Sequence, residues 1–258
     1  MLNENNTLQN KRFSIHFFKN GFSFCTLKSV DFSPHPTSIT EFENSIKNFL
    51  GNINQKNFEY FSIVFFHNPS ALVPSVFFDK NKLDHYLSFY CKKPETEIII
   101  YDELKKEDKI NVYSIPKKVY NMIEKLDINF NILHYNSLLL NKVLNLCSSK
   151  KFSKQLFVHL HFDAMDLFLT KNNKLIFYNR FVVKNENDFM YYLFFVVEQF
   201  ELGPKDFEIL FLGRIDAFES YYDIVRNYHF YVTFSNEDPY TKIEFSKHHA
   251  PFLFSCYN

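Results

Sequence analysis

The sequence predicts a mixed α/β chain of two lobes, each a mixed sheet with helices packed on it. Three observations carry this. The run Phe157 to Phe181, FVHLHFDAMDLFLTKNNKLIFYNRF, alternates apolar and polar residues around turn signals and reads as strands folded back on each other. Its order of hairpin, helix, strand, helix and strand has a counterpart that starts at Arg12. A length of 258 residues lies between one large domain and two small ones, and is enough for two hydrophobic cores.

The elements follow in chain order. Arg12 to Phe18 and Phe22 to Lys28 are β-rich and meet at Lys19-Asn20-Gly21, where Asn-Gly is a strong hairpin signal. Ser38 to Leu50 carries Ile39, Phe42, Ile46 and Phe49 at helical spacing, with Thr40-x-x-Glu43 as a capping box and Gly51 as the stop. Phe58 to Phe66 reads as a strand and Lys80 to Tyr90 as a helix capped by Asp79. Glu97 to Tyr101 and Ile110 to Ile115 are strands, and Pro116 opens a helix over Lys117 to Lys125. After a strand at Asn129 to Tyr135, Asn136 or Ser137 caps a helix whose Leu140, Val143, Leu144 and Cys147 share a face.

The polar stretch Ser148 to Lys154 is a junction, after which the pattern recurs. Strands are expected at Leu156 to Phe162, Asp166 to Thr170 and Leu175 to Val183, then a helix from Asn187 to Phe200 capped near Asn185. Phe207 to Leu212, Ala217 to Tyr228 and Phe230 to Phe234 complete the copy as strand, helix and strand. The Asn187 to Phe200 helix is apolar on nearly every side, which calls for burial or for a partner.

Composition removes several function classes. Lys plus Arg equals Asp plus Glu at 29 each, so no overall field draws the chain to nucleic acid or to an acidic membrane face. The four cysteines, Cys25, Cys91, Cys147 and Cys256, are scattered without a C-x-x-C pair, as expected of buried thiols in a cytoplasmic protein. The longest apolar stretch, Phe189 to Val197, is about half of the ~20 residues that span a bilayer, so no membrane insertion is expected. Glycine occurs only four times, and neither G-x-G-x-x-G nor G-x-x-x-x-G-K-[ST] is present, which sets aside Rossmann and P-loop nucleotide sites.

Phe130 to Asn258 resembles the actin-like ATPase superfamily, most closely the branch of the type IV pilus protein PilM and the type II secretion protein GspL. There a strand and helix of the ILHYNSLLLNKVLNL kind precede a second phosphate hairpin, here Leu156 to Phe181, and a later strand, Ile209 to Gly213, leads to the adenosine side. The opening FSIHFFKNGFSFCTLK also resembles the start of an uncharacterised family of Bacteroidota-type bacteria, whose YNRF, DFMYYLFF and LFLGRID-like motifs recur here. The resemblance implies duplicated actin-like (ribonuclease H-like) lobes, each a mixed five-stranded sheet with packed helices, over 1–136 and 137–258.

It also implies what is lost. Active relatives carry Asp-x-Gly in both phosphate loops, so that backbone N–H groups approach the phosphates. Here the first equivalent is Ile15-His16-Phe17-Phe18-Lys19, and the second, Asp163-Ala164-Met165-Asp166, keeps the acid but has Met for Gly. Leu212-Gly213-Arg214 keeps one of two adenosine-motif glycines. A pseudo-ATPase without catalytic residues follows, acting as a cytoplasmic scaffold or adaptor for a protein partner such as a peptide or tail of a membrane-associated complex. The competing reading is an ATPase that binds ATP with Mg at an atypical phosphate site centred on Asp163.

The candidate cofactor-binding residues are therefore Asp163, Asp166 and Gly213, each with a plainer reading as a remnant or a turn residue. His159, His161 and Asp163 share a strand face and imitate an H-x-H-x-D metal motif, but a half-buried strand with a polar face explains them equally. Lys150, Lys151 and Lys154 form a basic cluster that reads as an exposed linker, and no nucleic-acid motif is present.

Overall fold

The computed structural model describes residues 12–18, 21–26, 30–34, 39–52, 58–66, 68–88, 95–126, 128–147, 151–160, 164–213 and 215–235. The chain divides into two compact units, Met1–Leu139 and Leu140–Cys256.

In the first unit, β1 (Arg12–Phe18), β2 (Gly21–Cys25) and β3 (Val30–Pro34) form an antiparallel meander. Helix α1 (Ile39–Asn52) leads to β4 (Tyr60–Phe65), which lies parallel to β1, and β8 (Asn131–His134) lies parallel to β4. The order is β3-β2-β1-β4-β8. In the second unit β9 (Lys154–Leu160), β10 (Ala164–Lys171) and β11 (Lys174–Val182) repeat the meander. Helix α5 (Glu186–Gln199), β12 (Phe207–Leu212), α6 (Ile215–Arg226) and β13 (Val232–Phe234) then give the matching order β11-β10-β9-β12-β13. Two mixed five-stranded sheets of identical topology are the duplication that the sequence pattern predicts.

Strand alternation decides which side of each sheet is core. In β1 the odd residues Phe13, Ile15 and Phe17 join Ile46 of α1 and Ile63 and Phe65 of β4 in one buried cluster. In β9 the even residues Leu156, Val158 and Leu160 do the same with Phe189, Leu193 and Val196 of α5. The first core is built largely of rings: Phe24 stacks on Phe49 at 3.9 Å between centroids, and Phe13 meets Phe24, Phe49, Phe58 and Phe61. Each such buried ring contributes about 2–3 kcal/mol by removal from water.

Between β4 and β8 the first unit carries an addition that the sequence reading did not separate from the lobe's own sheet. Strands β5 (Ser70–Pro74), β6 (Glu97–Leu104) and β7 (Lys109–Pro116) form their own antiparallel sheet, ordered β5-β7-β6. A short helix α2 (Leu83–Ser88) covers it through Leu87, packed with Ala71, Val73, Ile110 and Val112. The expected helix start at Asp79 is present as a 3-10 turn over Lys80–Lys82, with the Asp79 side chain accepting from the Asn81 N–H. Helix α3 (Lys117–Ile123) follows Pro116 directly.

The expected stop and cap residues of two helices sit inside them. Helix α1 runs one residue past Gly51, so this glycine lies in the last turn and does not stop it. Helix α4 (Tyr135–Leu146) starts before Asn136 and Ser137, leaving both in its first turn with side chains committed elsewhere. At α5 the expected cap is present: the Asn185 side chain accepts from the Asp188 N–H at 3.0 Å.

Candidate functional site

The second hairpin was the expected phosphate site. Its Asp163 lies outside the described residues, as does His161. Asp166 is a mid-strand residue of β10, fully buried, with register partners His159 on β9 and Arg180 on β11. Oδ1 accepts from Arg180 Nε at 2.9 Å and from the Tyr178 hydroxyl at 3.1 Å, while Oδ2 accepts from Arg180 Nη2 at 3.0 Å. This two-point guanidinium grip neutralises the carboxylate and uses both of its oxygens. Buried carboxylates persist when paired in this way.

Gly213 follows β12 directly with φ 92°, a conformation that favours glycine, and it turns the chain from strand into α6. The cross-strand row Arg180, Asp166, His159, Leu212 runs from β11 to β12. It sets Asp166 two strands from the Gly213 turn, roughly 10 Å at the usual strand spacing. The two residues belong to one sheet end but do not converge on a common point.

In the first hairpin, Ile15 to Phe18 of the segment expected to match a phosphate loop is strand, and Lys19 lies outside the described residues. Phe18 pairs with Gly21, leaving only Lys19 and Asn20 between the paired residues. His16, Phe17 and Phe18 are all buried. His16 and Phe18 turn to the face opposite the core and meet Phe66, at 5.2 and 4.6 Å between centroids, and Phe66 meets Tyr135 at 4.9 Å. Four aromatic rings thus occupy the carboxyl ends of β1 and β4. Burial lowers the His16 pKa from 6.5 to about 3, so the imidazole is neutral at physiological pH.

A third constellation escaped sequence reasoning. Asp102, on β6, is buried and accepts three hydrogen bonds: the Tyr113 hydroxyl at 2.8 Å, the His134 backbone N–H at 2.8 Å and the Ser137 hydroxyl at 2.5 Å. Ser137 in turn accepts from Asn111 Nδ2 at 2.9 Å. The His134 ring is fixed as well: Nδ1 accepts from the Asn136 N–H at 3.0 Å, so Nε2 carries the proton and donates to the Asn68 carbonyl. Asn136 Nδ2 reaches Ser70 of β5 at 2.7 Å.

Burial outweighs these donors and raises the Asp102 pKa from 3.8 to about 6; burial and the nearby carboxylate both push the Tyr113 hydroxyl up. The network joins the inserted sheet to β8 and α4, an anchoring task that needs no substrate. Asp102 and Asn111 are cross-strand partners through a register that no local motif encodes, and buried polar groups of this kind are hydrogen-bonded. The expected strand ended at Tyr101, one residue short of the acid.

Among the described residues no group of three or more His, Cys, Asp or Glu side chains is placed to hold a metal ion. No helix among them is long and apolar enough to cross a membrane. Cys25 and Cys147 are buried, and the Cys147 thiol donates to the Thr170 hydroxyl at 3.4 Å.

Solved structures with this architecture exist at low sequence identity. A Bacteroides thetaiotaomicron protein with an actin-like ATPase fold and unknown function is 19% identical, with a TM-score of 0.72 over 90% of this chain and 93% of that one. The PilM-PilN type IV pilus biogenesis complex matches at 8% identity and a TM-score of 0.56, covering 96% and 94%. Both support the actin-like ATPase fold, in line with the matching five-stranded sheets. No curated protein is significantly similar to the chain. Residues 2–232 match a family described as Protein of unknown function (DUF3822), and the chain belongs to that family.

Proposed function

We propose that this protein is a non-catalytic member of the actin-like fold that holds a protein partner. The observation that carries the reading is the aromatic filling at the carboxyl ends of β1 and β4. Phosphate-binding hairpins need small residues whose N–H groups face an open space. Here His16, Phe18, Phe66 and Tyr135 fill that end with rings, and Phe18 is already paired with Gly21. Within the second lobe, Asp166 is spent on Arg180 and Tyr178.

PilM, a structural neighbour, is found in complex with PilN, which supports a protein as the class of partner. A peptide or tail of a membrane-associated assembly, met on the cytoplasmic side, fits that reading.

The test is isothermal titration with ATP and magnesium. No heat of binding at protein concentrations near 0.1 mM, on the order of a hundred times a micromolar Kd, is the expected result. Micromolar binding that disappears in Asp163→Ala would instead establish the nucleotide-binding reading centred on that acid.

A further inference from the structure

The second lobe carries an edge that other proteins take care to blunt. Its sheet ends on one side in β13, three residues long, and on the other in β11, nine residues long. Among the described residues nothing pairs with the outer side of β11. Edge strands present a row of backbone N–H and C=O groups, and are usually guarded by shortness, proline or outward charge. Strand β11 contains no proline. Its one mid-strand cation, Arg180, is turned inward to Asp166, while Ile176 and Val182 are 45% and 61% exposed.

Helix α5 lies along this strand rather than over the sheet centre alone. Phe181 stacks on Tyr192 at 4.6 Å, and Phe177 meets Phe200 at 5.2 Å, so the helix runs antiparallel above β11. On its outer side Tyr191 and Phe195, one turn apart and stacked at 6.1 Å, are 64% and 46% exposed. The helix that the sequence shows as apolar nearly all round therefore keeps part of its aromatic surface in solvent.

One end of the edge is strongly cationic. Lys174 is the register partner of Lys171, and Lys171 that of Lys154, so three lysines stand side by side across β11, β10 and β9. Like charges directly opposite one another destabilise a sheet unless an anion joins them.

We infer that β11 with the α5 aromatic pair is a docking edge for an extended polypeptide segment. The segment adds as an antiparallel strand, with alternating apolar side chains under Tyr191 and Phe195 and acidic residues at its carboxyl end against the lysine row. Main-chain pairing supplies affinity, and the row fixes direction and register. This inference rests on the reading of the protein as a holder of protein partners and names the surface that does the holding.

The probe is a synthetic nine-residue peptide, matched to β11, of alternating valine and threonine closed by two glutamates; its control replaces the glutamates with glutamine. Hydrogen–deuterium exchange on the full chain reads protection at residues 174–182. The expected result is slowed exchange there, saturable with the acidic peptide. The control, and the double variant Lys171→Glu, Lys174→Glu, should bind about tenfold more weakly, the scale of one lost charge-assisted contact. Phe195→Ser should also weaken binding while leaving thermal unfolding unchanged.

Three results would overturn the inference: no protection of β11 at millimolar peptide, protection that is equal in the charge-reversed variant, or binding of inorganic phosphate to the lysine row without any protection of the strand. Nucleotide titration remains a separate readout. Protection of β11 in a protein that also binds ATP would remove the non-catalytic reading and leave the docking edge standing.

Discussion

The two lobes share strand order, helix placement and the face on which the core is built, yet one cross-strand row differs sharply. In the first lobe the row reads Phe32, Ser23, His16, Val64; in the second, at matching positions, it reads Arg180, Asp166, His159, Leu212. His16 and His159 each stand just before the last core residue of their strand, Phe17 and Leu160, and both are fully buried. The first lobe keeps this row free of charge, and its histidine is neutral. The second buries a carboxylate and supplies the guanidinium that neutralises it. The duplicated fold is thus maintained by the apolar face, and the opposite face is free to take different chemistry. The links from β4 to β8 and from β12 to β13 differ in the same spirit: α6 alone makes the second, whereas the first passes through a three-stranded sheet moored by Asp102.

Breaking the charged row should produce the largest effect. Arg180→Leu takes the paired guanidinium away from the buried Asp166 carboxylate, and is expected to destabilise the second lobe by about 3–5 kcal/mol. The double variant Asp166→Leu, Arg180→Leu should recover much of that loss, since a buried pair replaced by apolar residues is often neutral. Denaturant midpoints, with exchange at β10 and β11 to localise the change, measure both. If the single and double variants lose the same amount, the ion pair is not what holds the row together.

Next in size is the mooring of the inserted sheet. Asp102→Asn keeps the shape but offers one acceptor oxygen to three donors, and brings an N–H₂ against them. A cost of about 2–4 kcal/mol follows from leaving buried partners unsatisfied. Faster amide exchange should be confined to β5, β6, β7 and the start of α4. Ser137→Ala removes one donor, and should cost about 1–2 kcal/mol in the same region. A loss spread evenly over both lobes would show that Asp102 is not a local anchor.

How much of this was legible in the sequence depends on how local the cause is. Hairpins and the long helices were readable because Asn20-Gly21, Asn172-Asn173 and the Asn185 cap act within a few residues; Asn172 and Asn173 do adopt the left-handed conformation that the turn needs. Strand β3 was not read, being a short polar-interrupted run, VDFSP, that takes its strand form from pairing with β2. Nor was β5, which pairs with β7 some forty residues later.

The site was less legible than the fold. Asp166 reads from sequence as the first residue of a strand and, following Asp163 so closely, as a second acid of its loop; what assigns its partner is Arg180, brought opposite by a strand register that no local motif encodes. Asp102 was missed for the same reason, its three donors coming from β7, β8 and α4. By contrast the aromatic filling of the first hairpin end was half visible, since His16-Phe17-Phe18 stood where small residues were required, although its ceiling, Phe66 and Tyr135, was not.

The finest contrast concerns pH, and it lies within the first lobe. Two buried groups there titrate in opposite senses. His16 has its pKa lowered on folding from 6.5 to about 3, so the unfolded chain binds more protons between those values. Its contribution is complete above pH 6.5 and is lost as pH falls. Asp102 has its pKa raised from 3.8 to about 6, so here the folded chain binds more protons. Its contribution is complete below pH 3.8 and is lost as pH rises through 6. Between pH 4 and 6 the two slopes, each on the order of 1 kcal/mol per pH unit, oppose one another and the lobe's stability is nearly level. His16→Gln removes the acid-side loss, so that stability should fall as pH rises from 4 to 6. Asp102→Asn, though weaker at every pH, should instead gain stability over the same interval. Exchange-detected unfolding of β1 and β4 at three pH values distinguishes the two, and parallel slopes in both variants would mean that neither group titrates as its burial dictates.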